Sequence, residues 1–274
     1  MKNDRNIDIM GILNLTDDSF YAGSRCQSAE AALSRVASML EQGADIIDIG
    51  ACSTRPGSEY VSFEEEWKRL EPVLSSLKLS YPDIKISIDT FRSGIVQRAY
   101  EMIGHFIVND ISAGEEDSRM LSTVGASGLG YVAMHKRGNP LTMQSLAEYD
   151  DVVDDVRSYF EEFSSRAADA GVRDWILDPG FGFAKTIEQN YSLVSRLSEL
   201  AVEYAGYKPR ILVGVSRKSM IYRPLGITPE ESLSATQALH MAALINGADI
   251  LRVHDVRETV QTITVYKNLQ QRLF

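Results

Sequence analysis

Alternation constrains this chain more than any other feature. Short runs rich in β-branched residues recur along it: IDIMGILNL from Ile7, ADIIDIG from Ala44, KISIDT from Lys85, FIVNDIS from Phe106, GYVAMH from Gly130, WILDPG from Trp175, RILVGVS from Arg210 and ILRVHD from Ile250. Each is followed by a longer stretch with helical spacing of apolar residues. The runs are almost continuously apolar, as parallel strands covered on both faces must be. Parallel neighbours require a crossover, and a helix supplies it.

The helix signals fit that reading. Ala29, Ala32, Leu33, Val36, Met39 and Leu40 share one face, and Gly43 ends the pattern. Ser62 with Glu65, and Thr228 with Glu231, have capping-box spacing, and Pro229 follows Thr228 at a first helical position. Val152, Val153, Val156, Phe160, Phe163 and Ala167 keep helical period up to Gly171. The segment after Ile111 is the least regular, broken by Gly114, Gly125 and Gly128, and is also predicted to be a helical crossover.

Strand–helix units in this number close into a barrel or lie open as a doubly wound sheet. The regular repeat, the lack of a separate substrate domain and the lack of a Gly-rich dinucleotide fingerprint favour the barrel. The prediction is an α/β chain, a (β/α)8 TIM barrel, in a single domain over residues 1–274. A net charge of −10 argues against nucleic acid as a partner. Cys26 and Cys52 make no disulfide framework and no zinc pattern. No signal-peptide core or apolar run of about 20 residues is present, so a cytoplasmic location is expected.

The strand tips carry the chemistry. Buried strands should stay apolar, yet these end in Asn14, Asp48, Asp89, Asn109 with Asp110, His135, Asp178, Ser216 with Arg217 and Lys218, and Arg252 with His254 and Asp255. Any one of these is most simply a cap or a satisfied buried group. Convergence of all of them on the C-terminal mouth of a barrel points to a functional site. Arg252 and His254 are two apart on an extended strand and so face the same way.

MGILNLTDDSF from Met10, GADIIDIGACSTRPGSE from Gly43, SIDT from Ser87, NDIS from Asn109, Met134-His135, LDPGFGFAKT from Leu177, VGVSRKSMI from Val213 and RVHDV from Arg252 resemble the dihydropteroate synthase family, in its order. The resemblance implies condensation of 6-hydroxymethyl-7,8-dihydropterin pyrophosphate with p-aminobenzoate, with loss of pyrophosphate. It implies that Asp89, Asn109, Asp178 and Lys218 hold the pterin. Thr54, Arg55, Phe20, Phe183 and Ser219 would surround p-aminobenzoate. Asn14, Arg252 and His254 would form the anion site, with Asn14 as the protein ligand to Mg2+. Asp89, Lys218, Arg252 and Arg55 would take part in catalysis. Carboxylates are expected at one end of the pocket and cations at the other. In the family the loops at residues 16–23 and 52–58 close over the substrates, and the protein is a homodimer through helices late in the barrel.

The chain departs from the family pattern at Asp17, Cys52, Phe91-Arg92 and Lys136-Arg137. These positions bear on loop behaviour and sulfonamide affinity more than on the reaction. His135 is read as a pocket-wall residue first. The rival readings are a pterin-binding methyltransferase domain acting on methyltetrahydrofolate, an inert paralogue, and a phosphate-binding isomerase or aldolase. A methyltransferase has no use for a pyrophosphate site.

Overall fold

A computed structural model describes residues 5–15, 25–52, 61–138 and 146–272. The strands are β1 (Asp8–Asn14), β2 (Ile46–Gly50), β3 (Lys85–Asp89), β4 (Ile107–Asp110), β5 (Gly130–Met134), β6 (Trp175–Asp178), β7 (Arg210–Val213) and β8 (Ile250–Val253). All pair in parallel in sequence order, and β8 closes onto β1 to complete a barrel. Helices α1 (Arg25–Gln42), α2 (Phe63–Ser80), α3 (Ser93–Ile103), α4 (Met120–Ser127), α5 (Val152–Asp169), α6 (Ile187–Ser195), α7 (Ser219–Leu225), α8 (Leu233–Ile245) and α9 (Val256–Arg272) lie between and after the strands.

Their ends follow the expected chemistry with two differences. Ser62 accepts from the Glu65 backbone N–H at 3.2 Å, so α2 has half of the predicted box. The Thr228–Glu231 box is complete but opens a 3-10 turn at Glu230–Ser232, which leads into α8. A further complete box, Thr186 with Gln189, starts α6. The irregular segment after Ile111 does form a helix, the short α4.

Strand alternation creates two separate cores. Ile9, Ile47, Ile49, Ile88, Val108, Tyr131, Leu177, Ile211 and Leu251 face outward and join the large cluster shared with the helices. Met10, Ile46, Val132, Ile176, Leu212 and Ile250, with Ile107, form a second cluster inside the barrel. The inner cluster is the floor on which the mouth stands.

Candidate active site

Two residues beyond each floor residue, the side chain again points inward, but now at the mouth. Ile46 is followed by Asp48, Ile107 by Asn109, Ile176 by Asp178, and Ile250 by Arg252 and then His254. Ser87, level with Asp48 in the register, is followed by Asp89. Asn14 has the same parity on β1, through Met10 and Ile12. One periodicity therefore gathers the polar strand tips in one cavity above a hydrocarbon floor.

Two of these carboxylates are joined through Arg252, and Asn109 is joined to one of them, Asp48. Its Nε donates to Asp48 Oδ2 at 2.7 Å, and its Nη2 donates to Asp89 Oδ2 at 2.9 Å. Nη2 also lies 2.6 Å from the Asp48 oxygen. Asn109 Nδ2 faces both oxygens of Asp48, at 3.2 and 3.1 Å. Asp48 is fully buried, so these partners replace its water. Glycine makes the room: a Cβ on Gly50 would lie 3.4 Å from the Asp89 Cβ and 3.6 Å from Asn14 Oδ1. Among the described residues, the partners of Arg252 are all reached by Nε and Nη2, and none by Nη1.

The expected division of charge is different in the structure. Arg252 is not at a cationic end facing carboxylates at a distance; it lies between Asp48 and Asp89. The barrel closure sets Arg252 level with Met10, and the long guanidinium arm then reaches across to the tips of β2 and β3. Burial raises the Asp89 carboxyl to about 7, and Arg252 opposes that rise. For Arg252 itself, burial works against the charge, but Asp48 and Asp89 more than offset this and raise its pKa.

Asp178 stands across the mouth. Its Oδ1 accepts from the Gly180 backbone N–H at 2.8 Å, which is the turn role any Asp-Pro-Gly would fill. Among the described residues no hydrogen bond reaches its other oxygen. Burial raises its pKa, while Lys218 lowers it. Lys218 Nζ donates to the Phe181 carbonyl at 2.6 Å and sits 5.0 Å over the Phe183 ring. Burial brings this lysine down to about 8, against the pull of Asp178. Ser219 follows at the first position of α7, and Phe183 is half-buried at the same rim. Phe181 is fully buried and belongs to the core.

His254 Nδ1 is 3.0 Å from Ser216 Oγ, which also accepts the His254 backbone N–H at 3.3 Å. Arg217 holds Asp255 with two donors, at 3.0 and 2.6 Å. Its backbone is left-handed, φ 56°, a cost that this double contact offsets. The loops after β7 and β8 are thus buckled together beside Arg252. Phe20, Thr54 and Arg55 lie outside the described residues.

Several site residues were not singled out from the sequence. Asp48 was only one polar tip among many, although its two-residue offset from Ile46 carries the signal. Lys185, inside the LDPGFGFAKT block, is buried with its Nζ 2.9 Å from His135 Nδ1. Burial holds His135 far below the usual histidine value, with Lys185 adding to that effect, so the ring is neutral. Cys52 and Arg92, two of the departures from the family pattern, touch: Arg92 Nη1 is 3.6 Å from Cys52 Sγ and also pairs with the buried Glu66. Burial pushes the Cys52 thiol up to about 12, with Glu66 adding to that rise.

Comparison with known proteins places this geometry. Residues 10–254 match the family described as pterin binding enzyme. Dihydropteroate synthase of Escherichia coli strain K12 is 41% identical over 259 residues, covering 94% of this chain and 89% of the relative. The solved structure of Xanthomonas albilineans dihydropteroate synthase with 4-aminobenzoic acid has a TM-score of 0.86 and 36% identity, covering 97% of this chain and 93% of that one. That of Burkholderia cenocepacia dihydropteroate synthase complexed with 7,8-dihydropteroate has a TM-score of 0.86 and 35% identity, covering 99% of this chain and 94% of the other.

Proposed function

We infer how the mouth works from one premise: this chain belongs to the dihydropteroate synthase family of pterin-binding enzymes. It is a transferase of folate synthesis. Its substrates are dihydropterin pyrophosphate and p-aminobenzoate, and its products are 7,8-dihydropteroate and pyrophosphate. The observation that carries the assignment of roles is the shared inward parity of Asn14, Asp48, Asp89, Asn109, Asp178, Arg252 and His254 in one barrel mouth.

The free oxygen of Asp178 accepts from the donor-rich edge of the pterin ring, as a carboxylate does from a guanidinium. Asn109 and Asp89 hold the rest of the ring, and Lys218 donates to the pterin carbonyl. The C–O bond at the pterin methylene breaks first, and its electron pair leaves with pyrophosphate. Asp89, whose charged form Arg252 favours against burial, lies against the cation that develops. Arg252 Nη1 and His254 bind the leaving group. The neutral arylamine then attacks the methylene carbon and loses a proton. No strong base is needed; fixed charge on both sides of the breaking bond is the main catalytic device. Phe183, Ser219, Phe20, Thr54 and Arg55 surround p-aminobenzoate.

Mg2+ is the cofactor we assign. Among the described residues no group of three or more His, Cys, Asp or Glu side chains could hold a metal. The Asn14 amide oxygen, beside Gly50 at the mouth, is a hard donor of the kind Mg2+ takes, and would be its protein ligand beside water and phosphate oxygens. When bound, it neutralises charge on the departing pyrophosphate. We further propose that residues 1–274 form one domain, that the chain works as a cytoplasmic homodimer, and that helices late in the barrel form the contact. No described helix is long and apolar enough to cross a membrane.

The test is dihydropteroate and pyrophosphate formation by purified protein with Mg2+ and both substrates. A protein that binds pterin but releases no pyrophosphate is a methyltransferase-type or inert relative, and this assignment then fails.

A further inference from the structure

We propose that Lys185 is a positioning residue for the amine substrate: its buried ammonium clamps the loop between β6 and α6 so that Phe183 is presented to the pocket. The inference rests on the placement of Phe183 beside p-aminobenzoate given above.

The loop closes one turn of its own, Phe183 N–H to the Gly180 carbonyl at 3.1 Å, and Asn190 Oδ1 on α6 accepts from the Gly182 N–H at 2.7 Å, but its path is an unusual one. Gly180, Gly182 and Ala184 have φ of 71, 81 and 49°, so left-handed residues alternate with ordinary ones along it. Ala184 bears a Cβ and is strained there. Such a path turns backbone carbonyls inward, where they need donors. Lys185 Nζ is 3.0 Å from the Phe183 oxygen and 3.5 Å from that of His135, and at 3.1 Å it is a second donor to the Gly180 oxygen beside the Phe183 N–H. Its remaining contact is His135 Nδ1 at 2.9 Å, which the neutral ring offers as an acceptor. Lys218 takes the Phe181 carbonyl at 2.6 Å. Two lysines therefore grip the loop, at different carbonyls.

The grip is anchored to β5. A Cβ on Gly180 would lie 1.9 Å from the His135 carbonyl oxygen, so loop and strand tip meet backbone to backbone. A buried ammonium with no hydrogen-bonded carboxylate is costly, and burial brings this one down to about 7. Hydrocarbon would fill the same volume without that cost. What hydrocarbon lacks is donors for the carbonyls of Gly180 and Phe183.

The experiment compares Lys185→Met with Phe183→Ala, measuring KM and kcat for p-aminobenzoate per folded molecule and the affinity for a phosphate-free pterin by fluorescence. We expect Lys185→Met to raise KM for p-aminobenzoate about tenfold and to lower kcat, with pterin affinity changed less than about threefold. A purely structural lysine would lower Tm and leave both constants of the folded fraction alone, and that result overturns the proposal. So does an equal loss for both substrates. A rise in Phe183→Ala with none in Lys185→Met also sinks the clamp. No rise in Phe183→Ala refutes instead the placement of Phe183. His135→Gln combined with Lys185→Met should be no worse than Lys185→Met alone; additive losses would show that the two do not act as a pair. If Lys185→Met does not fold, Lys185→Leu, which likewise has no donor, is read by the same criteria.

Discussion

Replacing Asp48 by Asn removes one negative charge and almost no volume from the centre of the mouth. Asp48 is fully buried and accepts from Arg252 and from Asn109. Breaking a buried, hydrogen-bonded ion pair costs about 3–5 kcal/mol, because the abandoned partner cannot return to water. Arg252 keeps Asp89 at 2.9 Å, and the new amide retains one carbonyl, so the lower end, about 3 kcal/mol, is the expected loss. At about 2–4 °C per kcal/mol for a chain of this size, Tm should fall by about 6–12 °C. Melting and urea titration of Asp48→Asn, Arg252→Met and the double variant give the coupling directly. Arg252→Met alone leaves two buried carboxylates facing each other, so the double variant should lose about 2 kcal/mol less than the sum of the singles. The same substitution should weaken both pterin and pyrophosphate binding, since Asp48 aligns a group for each. A stability loss below about 1 kcal/mol, or additivity within about 0.5 kcal/mol, would refute the idea that this network sets the mouth.

Asp178→Ala should cut pterin affinity by roughly 30- to 300-fold, the loss of charge-assisted hydrogen bonds to the ring edge, and unchanged affinity in a fluorescence titration would remove Asp178 from that role. Burial brings Lys218 down from the ordinary 10.5 to about 8, so kcat/KM should fall as pH rises through 8, and the limb should be absent in Lys218→Arg. Stability moves the other way: between about 8 and 10.5 the unfolded chain binds more protons at this site, so unfolding free energy rises with pH there. Chelation of Mg2+, or Asn14→Ala, should weaken dihydropterin pyrophosphate and leave a phosphate-free pterin untouched; equal effects on both ligands would deny Asn14 its place at the leaving group.

Much of this was readable before any coordinates. The floor and the mouth follow from spacing: Ile46 and Asp48, Ile107 and Asn109, Ile176 and Asp178, Ile250 and Arg252 are each separated by two along a strand, so an apolar side chain and its polar successor share the interior. The same rule grouped Arg252 with His254. It does not reveal how far an Arg reaches. The ion pairs from β8 to the tips of β2 and β3 depend on barrel closure and on a guanidinium spanning β1, neither of which a linear pattern encodes. Lys185 was hidden for a different reason. Its neighbours Gly180, Gly182 and Ala184 fold back on it, and a lysine beside such a turn looks like a solvated one. The Thr186–Gln189 box had legible spacing but sat at the end of the glycine-rich block, where a loop was the natural reading. Phe20, Thr54 and Arg55 fall outside the described residues.

The two-row interior also limits how such a chain can vary. Insertion of one amino acid within β2 would rotate a carboxylate into the oily seam beneath the helices and turn an isoleucine toward the substrates. Every inserted or deleted position must therefore be absorbed beyond the strand tips, whereas the tips themselves can be exchanged one by one over an unaltered base. A barrel of this kind is free to acquire a new ligand by point replacement and is almost forbidden to do so by changing strand length.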